Sequence, residues 1–443
     1  MKRLACTALL PLMKHSLSVM TLYGIVTAFG IDALCGISVH AESTKDLRAL
    51  YQKGAALLDA LQGNPSQILE AYQYFQEILH QDANSPYGHL GMSRMYRTKA
   101  CGDKECDPMI LRKHALPLAL QAEALGPEIL EVRTNLVNIY RLLGEFRKAE
   151  EEVQEALRIA PDQALPYLVF GYLLEKQGKY QEAVARYEEA LLRQATPEIR
   201  AGAFEALGEL FRTKLRNPAK AVEYFKQAIA AHENAPWTYN NLGLVYEDLG
   251  QYDFAVASFT RALELMPFKV AQHNLLRVRG RLAEQKGELE EAIRLYEQAL
   301  LLLPDNFTLH NMVAVAYTKR GGLQQAHRHL EQAIQLNPRY AQGYANLAMM
   351  MERLNNDYHA QLKYAQEAIR LDPQYAPGYL EAGRACQAMG RMDEAFAYYQ
   401  KYMERDPEGD AAIWLRKKFP QLHRSHEPDA GKSGNAVKDN WGR

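Results

Sequence analysis

Few residue patterns in this chain meet the spacing that enzymatic chemistry requires. The run Gly-Met-Ser-Arg at 91–94 lacks the second glycine of a hydrolase nucleophile turn, and Gly-Lys at 178–179 lacks the serine or threonine of a phosphate-binding loop. His327 and His329 are two positions apart, so on a helix they point to different faces. No His-Glu-x-x-His zinc motif occurs. The sequence therefore predicts a protein that is not an enzyme and that holds no cofactor or metal.

The residues that do recur are small and aromatic, and their spacing is structural. In the fullest copy Gly243 lies between Tyr239 and Tyr246, and Ala255 follows in the next segment. Small residues at these sites let two helix backbones approach, while the large residues between them fill the space to a neighbour. The period near 3.6 residues indicates helix rather than strand. Other copies place a small residue at Gly171, Gly208, Gly280, Ala314 and Gly383.

This pattern resembles the tetratricopeptide repeat. The resemblance implies an all-α fold, a right-handed superhelical solenoid of about ten helical hairpins between Leu47 and Pro407. The first two units depart most, with extra residues at 63–66 and about a dozen more between Gly91 and Ala115. A short addition at 268–272 separates two later units. The predicted units are 47–83, 84–127, 130–161, 164–195, 201–234, 236–267, 273–304, 307–338, 341–373 and 376–407.

Length and charge agree with a single elongated stack of repeats. The chain has 443 residues, which would ordinarily indicate several domains, but repeat stacks grow without dividing because each hairpin contacts only its neighbours. Its 52 basic and 53 acidic residues give a net charge of −1. Nucleic-acid binding favours a clustered basic face, so the composition gives no support for a nucleic-acid partner.

The first 41 residues differ from all that follow and predict an export signal. Lys2 and Arg3 precede an apolar run from Leu17 to Val39, and small residues stand at 39 and 41, where signal peptidases accept them. We expect cleavage after Ala41 and an exported, periplasmic or envelope-associated protein. The alternative is an uncleaved membrane anchor, which Asp32 disfavours because a central acid costs about 2.5–3.5 kcal/mol. Translation from Met13 would give a more ordinary signal.

Cys101 and Cys106 flank a short glycine-containing stretch, and in an exported chain we expect them to form a disulfide. So short a ring would stabilise the fold by about 2 kcal/mol. The competing interpretation is that the two cysteines supply two ligands of a zinc site. A structural zinc site needs four ligands, however, and only His89 and His114 lie nearby in sequence.

The resemblance also implies where a partner binds. In the resembled fold the first helix of each hairpin lines the concave wall, and the residues three before and one after the small residue face into it. A terminal-carboxylate clamp of the kind some family members carry is not indicated, because the matching lysines are missing. The predicted partner-binding residues are Asn138, Arg141, Tyr172, Glu209, Asn240, Leu244, Arg277, Arg281, Asn311 and Arg384.

Beyond Pro407 the repeat stops. Ala411 to Phe419 predicts an amphipathic helix that covers the open end of the stack, as solenoids need for solubility. The polar residues after it predict disorder. The domain prediction is thus a signal peptide or anchor at 1–41, the solenoid at 42–407, a capping helix at 408–420 and a disordered tail at 421–443.

Together these features predict a non-catalytic adaptor that binds proteins or extended peptides. Resembled exported proteins serve in pilus, outer-membrane or polysaccharide-export assembly, so a bacterial envelope is the expected location. One alternative is a carbohydrate- or polymer-binding module that uses Tyr172 and Trp237. Another is a cytoplasmic co-chaperone-like adaptor, in which residues 1–41 would not be cleaved and the cysteines would stay reduced. Contact with a membrane is expected only through residues 1–41 if they are retained.

Overall fold

The computed structural model describes residues 44–60, 65–101 and 106–420. In these residues the chain forms successive α-helices that pack as antiparallel pairs, so the predicted all-α hairpin architecture is confirmed. The predicted signal or anchor at 1–41 and the predicted tail at 421–443 lie outside the described residues. None of the described helices combines the length and apolarity needed to cross a membrane.

The chain divides into two compact units, residues 1–162 and 163–443. In the first unit α1 pairs with α2, α3 with α5, and α6 with α7. A π-helical turn, Leu111–Ala115, joins α4 to α5. The helices are α1 Thr44–Ala60, α2 Pro65–Gln81, α3 Pro86–Ala100, α4 Pro108–Ile110, α5 Leu116–Leu125, α6 Leu130–Leu143 and α7 Phe146–Ile159.

The insertion predicted in the second hairpin is built around a buried serine. A π-helical turn disturbs the regular carbonyl bonding of a helix, and here the Ser93 hydroxyl donates to the carbonyl oxygen of Ala115 at 2.7 Å. Asn135 Nδ2 in turn donates to Ser93 Oγ at 2.9 Å. Ser93 is fully buried. Its role is therefore to join α3, the π-helical turn and α6.

Up to residue 420, where the described part of the chain ends, the second unit contains seven hairpins and one final helix. Two first helices, α10 and α14, begin a turn earlier than the repeat pattern predicts, so the residues expected to separate two units near 270 are largely helical. The helices are α8 Ala164–Lys176, α9 Tyr180–Leu191, α10 Pro197–Thr213, α11 Pro218–Ala231, α12 Pro236–Asp248, α13 Tyr252–Leu265, α14 Lys269–Gln285, α15 Leu289–Leu302, α16 Phe307–Arg320, α17 Leu323–Leu336, α18 Ala341–Asn355, α19 Tyr358–Leu371, α20 Ala376–Ala388, α21 Met392–Arg405 and α22 Asp410–Lys418.

Six hairpins close on a contact between a glycine of the first helix and an aromatic ring of the second. A Cβ atom added to Gly243 would lie 2.7 Å from Cε1 of Phe259. Where the small residue is alanine, as at Ala314, the facing residue is the smaller Leu330, and both are buried in one cluster. The other pairs within a hairpin are Gly54 with Phe75, Gly171 with Tyr187, Gly208 with Phe225, Gly280 with Tyr296, and Gly383 with Tyr399. Gly91 of α3 contacts the same Phe75 ring from the next hairpin.

Most hairpins turn through a left-handed glycine. Gly250, between α12 and α13, has φ of +69°. In two hairpins with an additional residue in the turn, the left-handed position is held by Arg216 and Asn356. Asparagine tolerates this conformation, whereas an arginine there carries strain.

Buried polar side chains connect successive hairpins of the second unit. Asn274 Nδ2 donates to Asn240 Oδ1 at 2.9 Å, and Asn346 Nδ2 donates to Asn311 Oδ1 at 2.7 Å. These bonds join α12 to α14 and α16 to α18. A buried side-chain amide without a hydrogen-bond partner lowers stability. These two bonds therefore favour one relative alignment of the neighbouring first helices.

His273 makes a further connection of this kind. Its Nδ1 lies 3.1 Å from the carbonyl oxygen of Ala299, and its Nε2 lies 3.1 Å from Asn306 Nδ2. Asn306 is also the N-cap of α16, accepting from the Leu309 amide. A neutral imidazole satisfies both bonds, donating from Nδ1 and accepting at Nε2. Burial lowers the pKa of His273 and favours that neutral form.

At the C-terminal end α22 packs against the last hairpin. Ala412 and Leu415 are buried in the same cluster as Tyr399. Ile413 and Trp414 instead remain 54% and 45% exposed. The apolar face that covers the last hairpin is therefore narrower than the sequence indicates.

We expect Gly243→Ala to lower the free energy of unfolding by about 1–3 kcal/mol because the new Cβ atom overlaps the Phe259 ring. The matched control is Gly202→Ala, whose Cβ atom would have Leu168 Cδ2 as its nearest neighbour at 3.7 Å. This control should gain up to about 1 kcal/mol from helix propensity. Adding Phe259→Leu should recover part of the loss. Equal effects of the two glycine substitutions in thermal unfolding would contradict the contact.

The His273 network predicts a pH dependence of stability. A free imidazole has a pKa of about 6.5, and the pKa of His273 in the folded chain is lower. Its contribution is thus complete above about pH 6.5 and is lost as the pH falls towards the folded pKa, since the unfolded state then binds more protons. Urea unfolding at several pH values should show a weaker dependence in His273→Gln. The exposed-histidine variant His359→Gln should keep the full dependence; an unchanged slope in His273→Gln would refute the assignment.

Candidate functional site

A pocket of about 560 Å³ opens along the first helices of consecutive hairpins in the second unit. It is lined from α10, α12, α14, α16 and α18, and we call it the α12–α18 pocket. None of its lining residues is a serine, cysteine or histidine. Those residues are Arg212, Leu244, Glu247, Asp248, Arg277, Arg281, Thr308, Asn311, Met312, Tyr340 and Gln342.

The arginines of this pocket are neutralised by acids of the same chain. Arg277 makes two bonds to Glu247, Nε to Oε1 at 3.1 Å and Nη2 to Oε2 at 2.6 Å, and both side chains are largely buried. Arg281 lies 3.6 Å from the same carboxylate and donates to Tyr252 Oη at 3.2 Å. The two-bond geometry orients Arg277, because a guanidinium and a carboxylate match as planar pairs.

Arg212 is held in the same way. It bonds both carboxylate oxygens of Glu209, at 3.1 and 3.0 Å, and Asp248 at 3.2 Å. These interactions raise the pKa of Arg212 against the effect of its partial burial, so the charge is permanent. The pocket therefore presents little uncompensated charge.

The remaining wall of the pocket combines exposed polar groups with apolar ones. Thr308 and Gln342 are exposed near the N-terminal ends of α16 and α18. Asn311 is 4% exposed, and its oxygen already accepts from Asn346. Met312 and Tyr340 are partly buried. Amide and hydroxyl groups beside apolar side chains suit a polypeptide, whose backbone both donates and accepts.

Four of the residues predicted to bind a partner lie in this pocket. They come from three different hairpins: Leu244 from α12, Arg277 and Arg281 from α14, and Asn311 from α16. Positions counted from the small residue of each first helix therefore identify residues that are distant in sequence but line the same pocket.

The other predicted partner-binding residues of the second unit do not line this pocket and make contacts within the chain. Asn240 is 2% exposed and serves the bond to Asn274. Tyr172 packs edge-on against Tyr187, with ring centroids 5.5 Å apart. Two residues pair three positions along their own helix: Glu209 with Arg212 and Arg384 with Glu381.

In the first unit, Asn138 and Arg141 form a local pair. Asn138 Nδ2 donates to the carbonyl oxygen of Thr134 at 3.0 Å, and Arg141 Nη2 donates to Asn138 Oδ1 at 3.2 Å. Both side chains are partly exposed on α6.

Sequence reasoning missed Thr308 and Gln342, although a signal for them was present. Each lies six positions before the small residue of its first helix, as Thr308 does before Ala314. Asn274 holds the same position before Gly280 and is also polar. Tyr340 and Met312 follow no such rule, and only the tertiary structure places them in the pocket.

The histidines and cysteines that the structure describes form no metal cluster. Among the described residues, no group of three or more His, Cys, Asp or Glu side chains could hold a metal ion. His327 pairs with Glu331 at 3.5 Å, whereas His329 Nδ1 lies 3.0 Å from His310 Nδ1.

Cys101 and Cys106 are joined by a disulfide in this structure. The disulfide closes the loop that follows α3. Cys386, by contrast, is a buried free thiol, and burial raises its pKa.

The tryptophan that would serve a carbohydrate platform is not an open stacking surface. Trp237 packs against Phe268 with ring centroids 4.2 Å apart, and its indole nitrogen is buried. One face of this ring is therefore occupied by the chain itself.

Comparison with known proteins agrees with the hairpin architecture. Sequence profiles described as tetratricopeptide repeat match residues 130–163, 168–236, 234–305, 312–376 and 376–408, together more than half of the chain. Type IV pilus assembly protein PilF of Pseudomonas aeruginosa is 29% identical over 155 residues, which is 35% of this chain and 56% of PilF.

Human protein O-mannosyl-transferase TMTC1 is 26% identical over 174 residues, 38% of this chain and 19% of TMTC1. The chain thus spans about half of PilF and one fifth of TMTC1, and the transferase activity named for TMTC1 is not assigned to it. The solved structure described as Functional Characterization of Pseudomonas Aeruginosa pilF is 20% identical and covers 51% of this chain and 97% of its own, with a TM-score of 0.41.

Proposed function

The chain belongs to the tetratricopeptide repeat proteins, a family of protein-interaction scaffolds, and we propose that it is a non-catalytic adaptor that binds an extended segment of a partner protein in the α12–α18 pocket. The observation that carries this proposal is the internal neutralisation of Arg212, Arg277 and Arg281 by acids of the same chain. A highly charged small ligand would have to break those pairs. A polypeptide backbone has no net charge and can bind beside them.

The polar groups left at the pocket surface match such a backbone. The exposed side-chain amide of Gln342 carries both a donor and an acceptor, as each peptide unit does. Leu244 and Met312 offer apolar contact area to side chains of the bound segment. Because Arg277 and Glu247 fix each other, the wall is preorganised and loses little conformational entropy on binding.

We propose further that the adaptor acts in a bacterial cell envelope, in the assembly of a structure such as a pilus. The export signal predicted at 1–41 supports this, as does the Cys101–Cys106 disulfide, because disulfides persist mainly in oxidising compartments. The similar PilF is a type IV pilus assembly protein.

A matched pair of substitutions tests the pocket. Gln342→Arg places a long cationic side chain at the pocket rim, and we expect it to weaken partner capture by about tenfold or more, as loss of a central interface contact does. Gln332→Arg makes the same change at an exposed position of α17, outside the pocket lining, and should leave capture unchanged. Crosslinked pulldown of the tagged chain with quantitative mass spectrometry measures both. Equal capture by the two variants would refute the pocket as the partner site.

Analysis of the mature protein tests the proposed envelope location. Mass spectrometry of the chain isolated from fractionated cells should find it in the envelope fraction with Glu42 as its first residue. Alkylation after unfolding without reductant should modify Cys386 and spare Cys101 and Cys106. A cytoplasmic chain that retains residues 1–41 and has reactive thiols at 101 and 106 would contradict the export proposal.

A further inference from the structure

In three hairpins of the second unit, the aromatic ring that faces the glycine is a tyrosine whose hydroxyl group has a fixed acceptor. Each hydroxyl donates to the side chain twelve positions earlier, which is the fourth residue after the glycine. A tyrosine at this position therefore occupies an acceptor atom on the first helix of its own hairpin. The three bonds are Tyr187 Oη to Glu175 Oε2 at 2.9 Å, Tyr296 Oη to Glu284 Oε2 at 2.9 Å, and Tyr399 Oη to Gln387 Oε1 at 2.8 Å.

Glu284 shows what such a tyrosine leaves for the next hairpin. While its Oε2 accepts from Tyr296, its Oε1 accepts from Lys319 Nζ of α16 at 2.6 Å. The Lys319 side chain is 54% exposed. This carboxylate is thus divided between its own hairpin and the next one, and a single bond holds the neighbouring cation.

The hairpin of α12 and α13 has Phe259 at the equivalent position, facing Gly243. Phenylalanine has no hydroxyl group, so its ring donates nothing to Glu247, the fourth residue after Gly243. The two oxygens of Glu247 bond Arg277 of α14 instead, at 3.1 and 2.6 Å. The Arg277 side chain is only 17% exposed. Two parallel bonds orient a guanidinium group, which a single bond does not.

The identity of the ring follows the position of the α12–α18 pocket. The hairpin of α10 and α11 also has a phenylalanine, Phe225, and its fourth residue after the glycine is Arg212. Arg212 bonds Asp248 of α12 at 3.2 Å, so it too is available to the next hairpin. The fourth residue lines the pocket in these two hairpins, as Arg212 and Glu247, and does not line it in the three hairpins with a tyrosine.

We propose that Phe259 is a positioning residue of the α12–α18 pocket. Because its ring carries no hydroxyl group, both oxygens of Glu247 hold Arg277 in one orientation in the pocket wall. Phe259 is fully buried, so it acts through Glu247 and not by contact with a partner. The inference rests on the peptide-binding role proposed above and identifies a residue that preorganises that same pocket.

Phe259→Tyr tests the inference by adding one hydroxyl group. Tyr296 shows that a tyrosine fits against the glycine in this fold and reaches the carboxylate. We expect the new hydroxyl to take one oxygen of Glu247 and to leave Arg277 a single bond. Rotation of the Arg277 guanidinium group about its Nε–Cζ bond should then be about tenfold faster or more, as the loss of a bond to a charged group implies. Nuclear magnetic resonance of the arginine-labelled full chain measures this rate, and the signals lost in Arg277→Lys identify Arg277.

Two control variants separate the hydroxyl group from the packing of the ring. Tyr399→Phe removes a hydroxyl from the equivalent position of the last hairpin, outside the pocket, and should leave the rotation of Arg277 unchanged. Phe259→Leu removes the ring but adds no hydroxyl. It should keep the slow rotation of Arg277 even where it lowers the melting temperature. Fast rotation in Phe259→Leu would show that the ring acts only by packing and would overturn the inference.

Capture of partners by crosslinked pulldown measures the consequence for binding. Phe259→Tyr should weaken capture by about threefold to tenfold, the range expected when one interface side chain must be ordered on binding. Combining it with Arg277→Lys should lose no more than Arg277→Lys alone, because both changes act on the same pair. Losses that simply add would contradict an action through Glu247 and Arg277.

The inference and the proposed function fail on different results. An unchanged rotation rate of Arg277 in Phe259→Tyr would overturn the inference. With Gln342→Arg impaired, equal capture by Phe259→Tyr and Tyr399→Phe would also overturn it. The proposed function fails instead if Gln342→Arg captures partners as well as Gln332→Arg does. Because the rotation rate is measured without a partner, it still decides the role of Phe259 in that case.

Discussion

The fold depends on the contact between a glycine in the first helix of a hairpin and an aromatic ring in the second. Because the ring of Phe259 lies where a side chain of Gly243 would begin, the two helices pack at a distance that no larger residue allows. The buried ring also provides much of the apolar area that a short helix pair needs. In the hairpin where Ala314 takes the place of the glycine, Leu330 takes the place of the ring, so the combined volume of the two side chains stays compatible with close helix packing.

Polar contacts between hairpins convert these closed pairs into defined surfaces. Asn274 and Asn346 each bond an asparagine of the preceding first helix, and Arg277 bonds Glu247 across the same kind of interface. Such bonds contribute modestly to stability, but leaving one unmade is costly, which restricts how neighbouring helices can slide. Arg277, Glu247 and Asn311 also line the α12–α18 pocket, so part of the network that fixes the stack preorganises the site.

Contacts within the chain determine the electrostatics of the α12–α18 pocket. In the α12–α18 pocket the guanidinium groups are neutralised within the chain, which favours an uncharged polypeptide backbone.

The sequence by itself determined the helical hairpins, their number and most of their boundaries, because small and large residues recur at a spacing that only paired helices satisfy. It also assigned ten residues to the wall expected to face a partner, and four of them, Leu244, Arg277, Arg281 and Asn311, line one pocket. Only the tertiary structure decided that Asn240 is buried in a bond to Asn274, and that Tyr340 and Met312 enter the pocket. The physical reason is that a repeat pattern fixes which helix face a side chain occupies, whereas its charge partner and exposure depend on which residues of the next hairpin meet it.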